Sequence, residues 1–151
     1  MNEKLLHILG DKNKTYLFTG IGNVLRNDDG TGIYITKKIK ETRIVSTLLA
    51  EVSLENYVGK INRLNPSVLI LVDCLDFNRE PGHWDIIPAA ETREFTINSH
   101  HLSIKRLSEF FKMETWLLGI QPANLKVGEN LTTAVKKSAD EIVEMINQLS
   151  R

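Results

Sequence analysis

The chain has a single cysteine, Cys74, so no internal disulfide can form and packing and hydrogen bonds must hold the fold. It has no net charge, since nineteen Lys and Arg residues balance nineteen Asp and Glu. Without a basic surplus there is no field drawing the protein to nucleic acid or an anionic membrane surface. Long hydrophobic runs are also lacking. The most apolar stretch, Val68-Leu69-Ile70-Leu71-Val72, is far shorter than the roughly 20 residues that cross a bilayer, so membrane insertion is not expected. The opening MNEKLLHILG carries an acid and too short an apolar core for a secretory leader, which makes the cytoplasm the expected compartment. No repeat, low-complexity tract or linker-like stretch interrupts the 151 residues. That length suits one domain over 1–151, able to bury roughly two thirds of its unfolded surface, and nothing demands more than a monomer.

What the chain does have is an alternation of helical and strand periods. Residues 2–9 predict a short amphipathic helix with Leu5, Leu6 and Leu9 on one face. Tyr16, Leu17 and Phe18 predict a buried strand, and Gly32 to Thr42 a helix with Ile35 and Ile39 inward and Lys37, Lys38 and Lys40 in solvent. Arg43 to Leu49 predicts a second strand. Ser53 to Leu64 carries Val58, Ile61 and Leu64 at helical spacing, and Asn65-Pro66 ends that helix because proline disfavours helical geometry in its predecessor. The run Val68 to Val72 is β-branched and short, which predicts a strand buried on both faces at the sheet centre. Near the Pro81-Gly82 turn, the short runs 83–87 and 93–97 predict a marginal antiparallel pair. Ser99 is the expected cap of a helix that buries Ile104, Leu107 and Phe111. Glu114 to Ile120 predicts the last strand, and Leu131, Val135, Ala139, Ile142, Ile146 and Leu149 a long closing helix. Trp84 and Trp116 are expected in core or margin packing, and His7 and His83 in solvent. Strands alternating with helices predict a three-layer α/β domain with a mostly parallel sheet.

The stretch from Thr15 to Ile33 is the most informative. A strand runs out at Gly20 and Gly22, a polar loop ends in Asp28 and Asp29, and Gly30 and Gly32 open the next helix. Open α/β sheets place their sites at this carboxyl edge. Either acid can cap the helix, and a pair lets one cap while the other points into the cleft. Asp73 and Asp76 follow the central strand, and His100 opens a late helix. Carboxylates and an imidazole from three separate segments make a sensible ligand set for a divalent transition metal. A dinucleotide site is the competing idea, since Gly20-Ile21-Gly22 follows the first strand and Glu51 the second. Leu25 stands where the third glycine belongs, however, and Asn27-Asp28-Asp29 would set negative charge beside a pyrophosphate.

The segment GIGNVLRNDDGTG at 20–32 resembles the signature of the hydrogenase maturation endopeptidases. Further matches follow in that family's order: LVDCLD at 71–76, PG at 81–82, SHHLS at 99–103 and LLGIQP at 117–122. The likeness runs from about Tyr16 to Met145. It implies an α/β/α sandwich with a twisted sheet of about five strands. It also implies an endopeptidase that removes the C-terminal extension of a nickel-iron hydrogenase large-subunit precursor after nickel insertion. The family's nickel-contacting acid, aspartate and histidine correspond to Asp29, Asp73 and His100, which are the implied catalytic and metal residues. Nickel is the implied metal, brought by the precursor rather than held permanently. His100 is preferred to His101 because it aligns when Leu102 takes the family's apolar position. Gly20, Gly22, Asn23 and Asp28 are the expected substrate-binding positions. Two departures matter. Many relatives carry an aspartate after the second strand where this chain has Leu49, Ala50 and Glu51, so Glu51 or Glu55 is the expected substitute. Cys74 replaces a small residue and is expected to be a packed strand-end thiol, since a cysteine protease would need a paired base and oxyanion donors. The alternative to a protease is a non-catalytic, nickel-dependent checkpoint or carrier that grips the precursor without cutting it.

Overall fold

Every residue of strand β3 (Val68–Cys74) is buried, which a strand achieves only when helices cover both faces of its sheet. The computed structural model, which describes residues 2–92 and 104–151, shows how this is done. Five strands lie in the order β2-β1-β3-β5-β4. Strands β1 (Tyr16–Ile21), β2 (Val45–Glu51), β3 and β5 (Glu114–Ile120) run parallel, and β4 (Trp84–Pro88) is the antiparallel edge paired with β5. Alternate side chains feed two cores. Tyr16, Phe18, Val68, Ile70, Val72, Leu118 and Ile120 pack on one face with side chains of helices α1 (Glu3–Leu9), α2 (Thr31–Lys38) and α5 (Thr133–Leu149). Leu17, Leu69, Leu71 and Leu117 pack on the other face, with α3 (Val58–Leu64) and α4 (Ile104–Ser108). The α/β/α sandwich is therefore the direct product of strand alternation. Burying each of the β3 aliphatic side chains contributes about 1.5–3 kcal/mol.

Several boundaries differ from the sequence expectation, each for a local reason. Helix α1 buries Leu5, Ile8 and Leu9, while Leu6 is exposed; Asn2 caps the helix by accepting the Leu5 N–H at 3.0 Å. Helix α2 stops at Lys38 rather than Thr42, because Asn147 of α5 donates to the Lys38 carbonyl at 3.2 Å and accepts the Lys40 N–H at 2.9 Å. Strand β2 starts at Val45 rather than Arg43, since the Thr42 hydroxyl accepts the Ile44 and Val45 N–H groups and holds a turn there. The helix expected from Ser53 begins with a 3-10 turn, Leu54–Tyr57, before α3, and Leu64 at its end is exposed. Asn65, in the left-handed region with φ 50°, ends α3 before Pro66. The edge strand at 84–88 pairs with β5; the run 93–97, Ser99 and His100 lie outside the described residues.

The strand order places a topological switch between β1 and β3. From β1 the chain passes through α2 to β2 on one side, and from β2 through α3 to β3 on the other. The crevice at the carboxyl ends of β1 and β3 is where ligands bind in such sheets. Helix α2 starts directly over it: a Cβ on Gly32 would lie 2.1 Å from the Val72 carbonyl oxygen and 2.3 Å from that of Ile21. Only glycine permits this approach. Among the described residues, no helix is long and apolar enough to cross a membrane.

Candidate active site

The loop after β1 closes in a single 3-10 turn, Asn27–Gly30, that runs straight into α2. Its two acids have different neighbours. Asp28 is wholly buried and accepts four hydrogen bonds: from Ala123 N at 2.8 Å, Asn124 N at 3.0 Å, Thr132 N at 2.8 Å and the Thr132 hydroxyl at 2.8 Å. It pins the loop of 121–132 and the start of α5 to the β1 loop. Asn27 N donating to the Gly128 carbonyl at 2.7 Å and Gly128 N to that of Leu25 at 2.9 Å strengthen the joint. Its carboxylate is thus committed to the scaffold. Neither acid caps α2, whose N-cap position is Gly30 with no side-chain cap.

Asp29 points the other way, into the crevice. It is 2 % exposed, and its Oδ1 accepts a hydrogen bond from the Cys74 thiol at 3.2 Å. The Asn23 N–H donates to both the Asp29 carbonyl, at 3.1 Å, and its Oδ2, at 3.3 Å. Asp73, 7 % exposed at the end of β3, accepts the Cys74 N–H on Oδ1 at 2.8 Å. One donor atom from each of Asp29, Asp73 and Cys74 lies within 4.8 Å of the others, so β1 and β3 deliver an acid pair to one point. Burial, and then the negative charge of Asp29, push the Asp73 carboxyl well above the usual carboxylate range, against the lowering effect of the Cys74 N–H. Burial and then the Asp73 and Asp29 carboxylates raise the Cys74 thiol as well. A divalent ion would reverse each of these penalties, and two carboxylates at this separation fit one.

The remaining loop positions divide between support and access. Gly22 has φ +134°, and a Cβ there would lie 2.0 Å from the Asp29 carbonyl oxygen and 3.7 Å from Asp73 Oδ1. It is the backbone hinge on which both acids converge. Gly20 lets β1 and α2 approach closely, because its Cβ would meet Gly32 O and the Thr36 hydroxyl at 2.8 Å. Asn23 accepts the Leu25 N–H at 2.9 Å and shapes the turn. A cleft of about 230 Å³ opens beside Gly22 and Asn23, lined also by Val24, Leu25, Glu51 and Val52. Glu51 is exposed at its wall, with φ 56°, and its carbonyl accepts the Gly22 N–H at 2.9 Å; Glu55 lies in the next 3-10 turn and does not line the cleft. Asp76 accepts Asn78 N and Gln121 Nε2, which makes it a loop brace. His7 and His83 are exposed, as expected.

Cys74 is the member of this cluster that sequence reading placed in packing alone. The signal was present in the strand period. Cys74 lies two residues beyond Val72, which packs on the face covered by α2, and the turn into α2 carries Asp29.

Comparison with known proteins bears on the family and the fold. The sequence profile of the hydrogenase maturation protease family matches residues 34–149. A Methanocaldococcus jannaschii protein also named for hydrogenase maturation protease activity is 27% identical over 99% of this chain and 98% of its own length. The hydrogenase 3 maturation protease of Escherichia coli K12 is 25% identical over 83% of this chain and 85% of its own. The crystal structure of the nickel-iron hydrogenase maturation protease HycI from Thermococcus kodakarensis superposes with a TM-score of 0.84 at 26% identity, covering 97% of this chain and 98% of that one.

Proposed function

The chain belongs to the hydrogenase maturation protease family, and on that premise we propose that it removes the C-terminal extension of a nickel-loaded hydrogenase large-subunit precursor, reading the inserted nickel through Asp29, Asp73 and His100. The observation that carries this reading is the convergence of the Asp29 and Asp73 carboxylates, both buried, at the β1/β3 crevice. His100 precedes α4 in the sequence and is the third ligand of the proposal by resemblance alone.

Peptide hydrolysis needs a polarised carbonyl, an activated water and a proton for the leaving amine. In this scheme nickel arrives as cargo on the precursor's cysteines. Asp29 and Asp73 complete its coordination from below, which fixes the precursor tail over the cleft beside Gly22. Glu51 at the cleft wall is the carboxylate available in place of the acid that many relatives carry after β2. Selectivity follows from electrostatics. A metal-free precursor brings no cation to the acid pair and gains none of the attraction that the nickel supplies. The exposed apolar side chains Val24, Leu25 and Val52 rim the cleft, and Val127 flanks them through the Leu25–Gly128 joint, giving the precursor an apolar landing surface.

Incubating purified protein with nickel-loaded and with metal-free precursor, and following the released C-terminal peptide by mass spectrometry, tests the proposal. Release from the loaded form alone is expected. Binding without release would identify a checkpoint or carrier, and release from both forms would remove nickel from the recognition step.

A further inference from the structure

We propose that Cys74 is a soft third donor that lets this chain hold a thiophilic divalent cation by itself, between Asp29, Asp73 and Cys74, before any precursor is present. The inference rests on the reading of Asp29 and Asp73 as metal-facing acids, and goes beyond it, since in that reading the ion arrives with the substrate.

The geometry carries the argument. The Cys74 sulfur is 3.2 Å from Asp29 Oδ1, and the three donor atoms lie within 4.8 Å of one another. A tetrahedral ion with metal–sulfur bonds of about 2.3 Å and metal–oxygen bonds of about 2.0–2.2 Å needs donors about 3–4 Å apart. Closing the set therefore takes only a small adjustment of side chains. Asp73 is more than nine-tenths buried, and among the described residues no hydrogen bond reaches its Oδ2. Two neighbouring buried acids are costly as charged groups unless a cation or a proton neutralises one of them. Cys74 is itself 2 % exposed, which shields it from oxidants and leaves its hydrogen bond to Asp29 as its polar contact.

The donor chemistry selects the ion. Two carboxylates alone suit hard cations that prefer oxygen; adding a thiolate shifts preference to zinc, cobalt or nickel. On binding, the metal–sulfur bond forms as the S–H bond breaks, and the thiol proton, now held toward Asp29, passes to bulk buffer; no oxidant or reductant is involved. Such a resident ion would be displaced or joined by the precursor's own nickel at docking.

The test uses the full chain and Co²⁺ as the probe. Titrating Co²⁺ into the metal-free protein is expected to give a near-ultraviolet sulfur-to-cobalt charge-transfer band. Cys74→Ser and Cys74→Ala should each lose the band and weaken binding by at least about 10-fold. The near-isosteric Cys74→Ser keeps the experiment decisive where the smaller side chain disturbs the strand end, and circular dichroism checks folding in both. Co²⁺ binding without the band, binding unchanged in both variants, or no binding at all overturns the proposal. Because precursor cleavage is not the readout, the band can fail while nickel-dependent processing stands, and processing can fail while the band is seen.

Discussion

Replacing Gly22 by alanine perturbs the point on which the whole site turns. At φ +134° an alanine is strained by about 1–3 kcal/mol whatever space surrounds it. Its Cβ would also stand 2.0 Å from the Asp29 carbonyl oxygen, so the 3-10 turn carrying Asp29 must retreat by more than an ångström to restore ordinary contact. That retreat breaks the hydrogen bond from Asn23 N to the Asp29 carbonyl and draws Asp29 away from Asp73. In a chain of this size each kcal/mol lowers the melting temperature by about 2–4 °C, which predicts a fall of roughly 2–12 °C. A displacement of this order at a reacting centre costs about 100-fold in rate. Calorimetry reads the first effect, and release of the precursor's C-terminal peptide the second. Gly59→Ala is the control, because Gly59 is exposed in α3 and its Cβ would meet only the flexible end of Arg63, at 3.3 Å; it should be neutral or slightly stabilising. A Gly22→Ala protein with the wild-type melting temperature and cleavage rate would refute the reasoning.

Asp28→Ala should behave as a stability variant. It removes the acceptor of three part-buried backbone N–H groups and the Thr132 hydroxyl, for a loss of about 2–4 kcal/mol by urea unfolding, whereas a substrate-contacting residue would lose rate with its stability intact. Asp73 gives a pH signature. Its folded-state pKa is raised, so between the usual carboxylate value near 3.8 and the raised one the folded protein binds more protons than the unfolded chain. Stability of the metal-free protein should therefore fall as pH rises through that window, and Asp73→Asn should flatten the slope. Urea midpoints measured across a pH series decide it, and a slope unchanged in Asp73→Asn would count against the assignment.

The alternation of elements was legible because each strand feeds two cores: β3 and β5 follow directly from the runs Val68–Val72 and Glu114–Ile120, and α5 from its inward-facing stripe. The acid loop was legible too, because a glycine-ended strand followed by acids has few physical solutions. What was hidden depended on contacts remote in sequence. Nothing near Asp28 reveals that backbone donors from 123, 124 and 132 will consume its carboxylate. The early end of α2 is set by Asn147, more than a hundred residues on. Leu6 and Leu64 fit a helical period and yet face solvent, because a short helix buries only the stripe its neighbours cover. Cys74 was read as packing because an apolar neighbourhood predicts that use; only the placement of Asp29 over the end of β3 gives its thiol a polar partner.

The central claim is that the Asp29 and Asp73 carboxylates act together on one nickel ion to permit cleavage. Its most direct test compares Asp29→Asn and Asp73→Asn with the parent on nickel-loaded precursor, with thermal unfolding measured alongside. The account predicts that both variants fold and that each loses at least about 100-fold in peptide release, since an amide keeps the shape but not the charge that meets the ion. Folded variants that trim the precursor at the parent rate would contradict it.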